Sequence, residues 1–136
     1  MRPSILLALA AVSCAPTVAE TRQAEQRQAR QEEKLNRALA GLTPGTPQGC
    51  LSDPDRRNAR IEIYGSTVLY RVSRGRVYRN DMNGGCATSA IDPIFITATP
   101  TTSLCRGDIA QLVDRTSRFP VGSCSYGDFV PYTRAR

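Results

Sequence analysis

The sequence predicts a mainly β chain, a small antiparallel barrel or sandwich, preceded by one N-terminal α-helix. Three observations predict it. Residues 21–42 are dominated by Ala, Gln, Glu, Arg and Leu, with neither glycine nor proline before Gly41, the composition of a helix. Beyond residue 49 the apolar pattern changes to alternation, the period of a half-buried strand. The short apolar runs that follow are broken by Gly, Pro, Asn or Asp at intervals of roughly eight to twelve residues, as in small all-β domains.

The helix is expected to open at Thr21 as its N-cap and to stop at Gly41, with Pro44 and Gly45 just beyond. Glu33 and Arg37 form an i,i+4 pair of the favourable orientation. Leu35, Ala38, Leu39 and Leu42 share one face, whereas the earlier turns are almost entirely polar. The helix therefore reads as a solvated spacer whose last two turns dock on the domain. Residues 43–49, Thr-Pro-Gly-Thr-Pro-Gln-Gly, read as a linker. Residues 60–64 alternate as a strand, and 67–72 with 76–79 form a hairpin around Arg74 and Gly75. A two-residue loop there would set Val72 against Val77 and Tyr70 against Arg79, with Arg71, Arg76 and Tyr78 on the opposite face. Asp81 to Gly85 is a turn, and strands are expected at 94–97, 109–114, 121–125 and 129–132.

The amino end carries a different message. Its apolar run, residues 5–12, follows a single Arg2 and is far shorter than the about 20 residues a membrane span requires; it has the proportions of a secretory signal. The run ends at Ala11, Val12, Ser13 and Cys14, which resembles the lipobox of bacterial lipoproteins, with Ala11 where leucine is usual. The resemblance implies diacylglycerol on Cys14, cleavage just before it and acylation of the new amine. Fatty chains contribute about 0.8 kcal/mol per buried methylene, so two or three of them anchor firmly. Ala15, rather than an aspartate, implies the outer membrane. The organisation expected is thus a signal peptide over 1–13, a lipidated amino terminus and helical spacer over 14–42, the linker 43–49, and a disulfide-linked β domain over 50–136.

Cysteine parity supports this order. Five cysteines are an odd number for an exported chain, and lipidating Cys14 leaves Cys50, Cys86, Cys105 and Cys124. Their spacings are far wider than those of zinc or thioredoxin-like pairs, and the chain has no histidine, so no metal site or cofactor is expected. An oxidising compartment favours bridges. Of the three connectivities, Cys50 to Cys105 and Cys86 to Cys124 are favoured: the first ties the domain's entry to the turn before Ile109, the second ties the glycine turn to a late strand.

Lys and Arg total 18 against 12 Asp and Glu, a net charge of +6. Lys34 is the only lysine. Arginine recognises phosphate and carboxylate well, but a GC-rich genome also favours it, and export argues against nucleic acid as a partner. Arg71, Arg74, Arg76 and Arg79 around the hairpin form the one cluster suited to an anionic envelope component or an acidic periplasmic protein. The competing reading is a solvated edge whose charges discourage aggregation.

Catalytic signatures fail on inspection. Gly122 to Gly127, GSCSYG, lacks the spacing of a nucleophile elbow, and without histidine the standard Ser-His and Cys-His arrangements are excluded. Asp108 and Asp128 each follow a glycine, which is turn chemistry before it is acid–base chemistry. The Arg106, Gly107, Asp108 tripeptide reads as a turn for the same reason.

The strings LCRGDI (104–109) and GDFVPY (127–132) resemble small lipoproteins of Gram-negative bacteria that have no assigned activity. The likeness spans roughly 48–133; it supports the envelope address and the fold, and contributes no catalytic residues. The resulting expectation is a non-enzymatic lipoprotein on the periplasmic face of the outer membrane, attached through its lipid and acting as a binding or interaction module. The alternative is an inhibitor of a cell-wall hydrolase, because lysozyme-inhibitor lipoproteins are also small disulfide-bonded β barrels.

Overall fold

The computed structural model describes residues 17–84, 86 and 93–135. Cys14, the expected signal segment 1–13 and Gly85 of the expected turn lie outside them.

Helix α1 spans Val18–Leu39. It starts one turn before Thr21 because Thr17 and Glu20 form a capping box: the Glu20 amide donates to Thr17 Oγ1, and the Thr17 amide donates to the Glu20 carboxylate at 2.7 Å. Two otherwise orphaned donors are satisfied there. At the far end Gly41 takes a φ of +75°, a left-handed turn that glycine makes at no steric cost. Residues 17–30 are exposed throughout, whereas Leu35 and Leu39 are buried.

The expected linker is partly pinned. Its first residues form strand β1 (Thr43–Pro44), which pairs with the last strand, β11 (Phe129–Thr133). The Gly45 amide donates to the Pro131 carbonyl at 2.7 Å, and Gln48 and Phe129 exchange backbone hydrogen bonds. Proline is no obstacle, because β1 is a sheet edge. Strand β2 (Cys50–Leu51) and helix α2 (Asp53–Asn58) follow. Ser52 caps α2, Pro54 sits in its first turn beside two aspartates, and Arg56 and Arg57 occupy its last. Each of those placements suits a helix end.

The remaining strands are β3 (Arg60–Tyr64), β4 (Thr67–Ser73), β5 (Arg76–Asp81), β6 (Asn83–Gly84), β7 (Ile94–Ala98), β8 (Leu104–Cys105), β9 (Ile109–Val113) and β10 (Pro120–Ser125). They form a five-stranded antiparallel sheet in the order β1-β11-β5-β4-β3, a four-stranded one in the order β6-β10-β9-β7, and the pair β2-β8. A closed barrel, one of the two expected forms, is not what the chain builds: β1 and β3 edge one sheet, β6 and β7 edge the other, and the edges do not pair. The two sheets instead share a core. Val68, Tyr70, Tyr78 and Phe129 from the first meet Ala110, Leu112 and Cys124 from the second.

The first sheet is covered on its other face by α1. Leu35 and Leu39 pack on Leu69 and Val77, flanked by Ala38, Leu42, Tyr64 and Tyr132. Hence Thr67 to Tyr70, four consecutive residues of β4, are all buried. Alternation fails where both faces of a strand are covered.

The hairpin differs from the sequence expectation by one residue. Ser73 opposes Arg76 across a two-residue loop as expected, but a bulge between Arg71 and Ser73 sets Val72 aside. Arg71 then opposes Val77, and Tyr70 opposes Tyr78. The bulge puts Arg71 and Arg79 on the α1 face with Leu69 and Val77, and leaves Arg76 and Tyr78 on the other. An extra residue in one strand has this effect because side chains alternate with a period of two.

The cysteines join as Cys50 to Cys105 and Cys86 to Cys124. The first bridge lies across opposed residues of β2 and β8. The second reaches β10, with Cys86 and Cys124 both buried.

Candidate functional site

The hairpin arginines do not form one surface. Arg71 donates to both oxygens of Glu62, at 3.0 and 3.2 Å, and to the carbonyl of Ala38 at 3.1 Å, tying α1 to the sheet. That pairing holds the Glu62 carboxyl below its ordinary range against the opposing effect of burial. Arg76 reaches Asp55 at 2.6 Å, on the opposite face, where Tyr78 also donates to Asp55 at 2.9 Å. Burial and that carboxylate raise the Tyr78 phenol. Arg79 donates to Asp81, its neighbour along β5. Arg74 sits exposed at the hairpin turn. Three of the four guanidiniums therefore already have carboxylates, and two of them fasten helices to the sheet.

The two Gly-Asp motifs are turns with defined partners. The Asp108 carboxylate accepts the Cys105 amide at 2.8 Å, while the Asp108 amide donates to the Cys105 carbonyl. Gly107 between them has a φ of +88°. Arg106 pairs with Asp128 at 2.8 Å, so LCRGDI and GDFVPY meet. The buried Asn80 closes the second turn by donating to the Gly127 and Asp128 carbonyls and accepting the Gly127 amide. A side chain at Gly127 would collide with the Asp81 carbonyl.

A space of about 760 Å³ lies between α1 and the β3–β4 turn. Its walls are long exposed side chains such as Arg27, Arg30 and Lys34, so it is the open angle between helix and sheet. A second, smaller and more apolar cleft, of about 200 Å³, lies between β3 and β4 of one sheet and β7 of the other. Ile61 of β3, Val68 of β4, Phe95 of β7 and Leu104 of β8 supply its apolar walls. Tyr70, Tyr126 and Thr97 supply hydroxyls, and Arg56 of α2 brings a guanidinium.

The geometry at the buried end is specific. Tyr70 donates to the Tyr126 hydroxyl at 3.1 Å, and the Tyr126 hydroxyl is 3.0 Å from Thr97 Oγ1. Phe129 holds both rings from behind: its centroid lies 5.9 Å from that of Tyr70, edge-on, and 6.1 Å from that of Tyr126, stacked. Burial and the neighbouring phenol push the Tyr70 hydroxyl far up, so it stays protonated; the Arg56 charge works in the opposite sense. Apolar walls with a few convergent polar groups are the usual make-up of a small-molecule site. Asp55 positions the cleft indirectly, because its contacts to Arg76 and Tyr78 dock the helix that carries Arg56.

The sequence reading did not find this cleft. Its members come from α2, β3, β4, β7, β8 and the turn after β10, and the two tyrosines stand 56 positions apart. The only local signal was Ser52 with Pro54, which marks the start of α2. Among the described residues no cluster of three or more metal-ligating side chains occurs. No family model, curated protein or solved structure matches this chain.

Proposed function

We propose that the chain is a non-enzymatic envelope lipoprotein, held through lipid on Cys14 at the periplasmic face of the outer membrane, whose β domain serves as a binding module. The observation that carries this reading is the division of α1. Residues 17–30 touch solvent along their whole length, and only the last turns dock through Leu35 and Leu39. At 1.5 Å per residue, the solvated part sets the domain about 20 Å beyond the amino end, the arrangement a tethered module needs. The bridging of Cys50 with Cys105 and of Cys86 with Cys124 supports it further, since Cys14 is then the one thiol outside a disulfide. The partner would be an anionic envelope component or a periplasmic protein.

Metabolic labelling with radioactive palmitate, followed by density-gradient separation of the two membranes, tests the reading. The expected result is label on the wild-type chain in outer-membrane fractions, lost in Cys14→Ala, which appears in the soluble periplasm. Unlabelled full-length protein in the cytosol overturns it.

A further inference from the structure

Among the described residues the hydroxyl row at the cleft has one proton without a protein acceptor. Each hydroxyl of Tyr70, Tyr126 and Thr97 carries one proton, and the row contains two hydrogen bonds. If Tyr126 donates to Thr97, the Thr97 proton remains; if Thr97 donates to Tyr126, the Tyr126 proton remains. Among the described residues neither has another acceptor. The Thr97–Tyr126 pair is only part-buried, so water reaches this end of the row, and an occupant that displaces the water must itself offer an acceptor to keep the bond.

The charge at the cleft narrows the choice. Asp53, the carboxylate next to Arg56, makes its close contact with Arg57 and stands 3.6 Å from Arg56. One carboxylate thus serves two guanidiniums, Arg56 through an ion pair too long for a hydrogen bond, which leaves a net positive charge beside the cleft and N–H donors on Arg56. Cation, uncommitted hydroxyl and hydrocarbon walls converge on one chemistry.

We propose that this cleft binds a small monocarboxylate, its oxygens on Arg56 and the hydroxyl row and its hydrocarbon body against Ile61 and Phe95. Size follows from volume. An apolar cavity of about 150 Å³ accepts benzene, so the cleft of about 200 Å³ suits a body of roughly six carbons. An alcohol with the same body would satisfy the walls and leave Arg56 without an anion. A free carboxylate and one at the end of a longer chain share this chemistry. Ile61, half exposed at 52%, borders the open side through which a longer chain would leave. The inference goes beyond the lipoprotein reading and holds whether or not Cys14 is acylated.

Titration of the full chain with sodium hexanoate, followed by NMR of labelled tyrosine, phenylalanine and threonine, tests it, with hexanol as the neutral probe. The expected result is saturable shifts at Tyr70, Phe95, Thr97 and Tyr126, with half-saturation on the order of 1 mM or tighter. Hexanol should bind at least tenfold more weakly. Arg56→Met should weaken hexanoate at least tenfold while both disulfides form. Ile61→Gln, on the exposed rim, should weaken hexanoate and hexanol alike and guards against a folding effect of the first variant. Absence of shifts at these residues in tens of millimolar hexanoate overturns the proposal, as does equal binding of hexanol or undiminished binding by Arg56→Met.

Discussion

The two sheets are held together by different means. The five-stranded sheet is buried on both sides at its centre: Leu69 and Val77 lie under α1, while Val68, Tyr70 and Tyr78 face the shared core. Among the described residues the four-stranded sheet is covered on one side only. Its outer face leaves Ile96 and Ile109 each 51% exposed and Val121 45% exposed, and its inner face offers small groups such as Ala110 and Cys124. The buried Cys86–Cys124 bridge is attached to this second sheet, and the first carries no crosslink. Where apolar burial from two layers is available the chain relies on it; where one layer is missing, a covalent tie reinforces the structure.

The largest effect should come from the shared core. Phe129→Ala removes a fully buried ring that supports Tyr70 and Tyr126, and is expected to cost about 3–5 kcal/mol of unfolding free energy in denaturant titration. A loss below about 1 kcal/mol would mean that the sheets do not share this core. Next, Cys86→Ala with Cys124→Ala should cost about 2–4 kcal/mol, and native-state hydrogen exchange should then speed up in β9 and β10 more than in β4. Equal acceleration in both sheets would break the comparison.

A smaller effect belongs to the junction between α1 and the first sheet. The folded-state pKa of Glu62 is depressed below 4.5, chiefly by the Arg71 hydrogen bonds. Such a group contributes stability that is present above its unfolded pKa and lost as pH falls through its folded one. Glu62→Gln should therefore lower stability at neutral pH and flatten its decline below about pH 4.5, as read by unfolding at a series of pH values. The smallest effect is expected from Thr17→Ala. The cap lies on the solvated part of α1, so amide exchange in the first turn should rise while the unfolding midpoint of the domain stays unchanged.

The legibility of the sequence followed the same division. Alternation located β3 at residues 60–64 without error, since Arg60 and Glu62 interrupt the apolar residues of this edge strand, whereas β4 runs four buried residues together. Helical spacing identified Leu35, Ala38, Leu39 and Leu42 as the docking face, and all of them pack there. The start of α1 was misplaced because two threonines compete for the cap, and only Thr17 has a glutamate at the third position of the helix to close the box. Whether the sheets close into a barrel depends on how their edges meet, which strand periodicity does not encode. The cleft was illegible because its polar members are distant in sequence and each is ordinary alone. The arginine cluster was legible as charge, but its neutralisation was not: the partners, Asp55 and Glu62, come from α2 and β3.

Val72, the residue set aside by the bulge in β4, makes the hairpin unusual in one respect. Because Ser73 still opposes Arg76 and Arg71 still opposes Val77, removing Val72 would leave every ladder partner in place and forfeit only its packing against the shared core, whereas removing a residue between Thr67 and Tyr70 would shift the residues before it out of phase. The hairpin thus contains a built-in spare position, and deletion scanning along β4 should find its one tolerated gap there. Length variation at this point would be nearly silent for the pairing of β4 with β5, so a shortened hairpin could still carry the same inward and outward residues from Thr67 to Arg71.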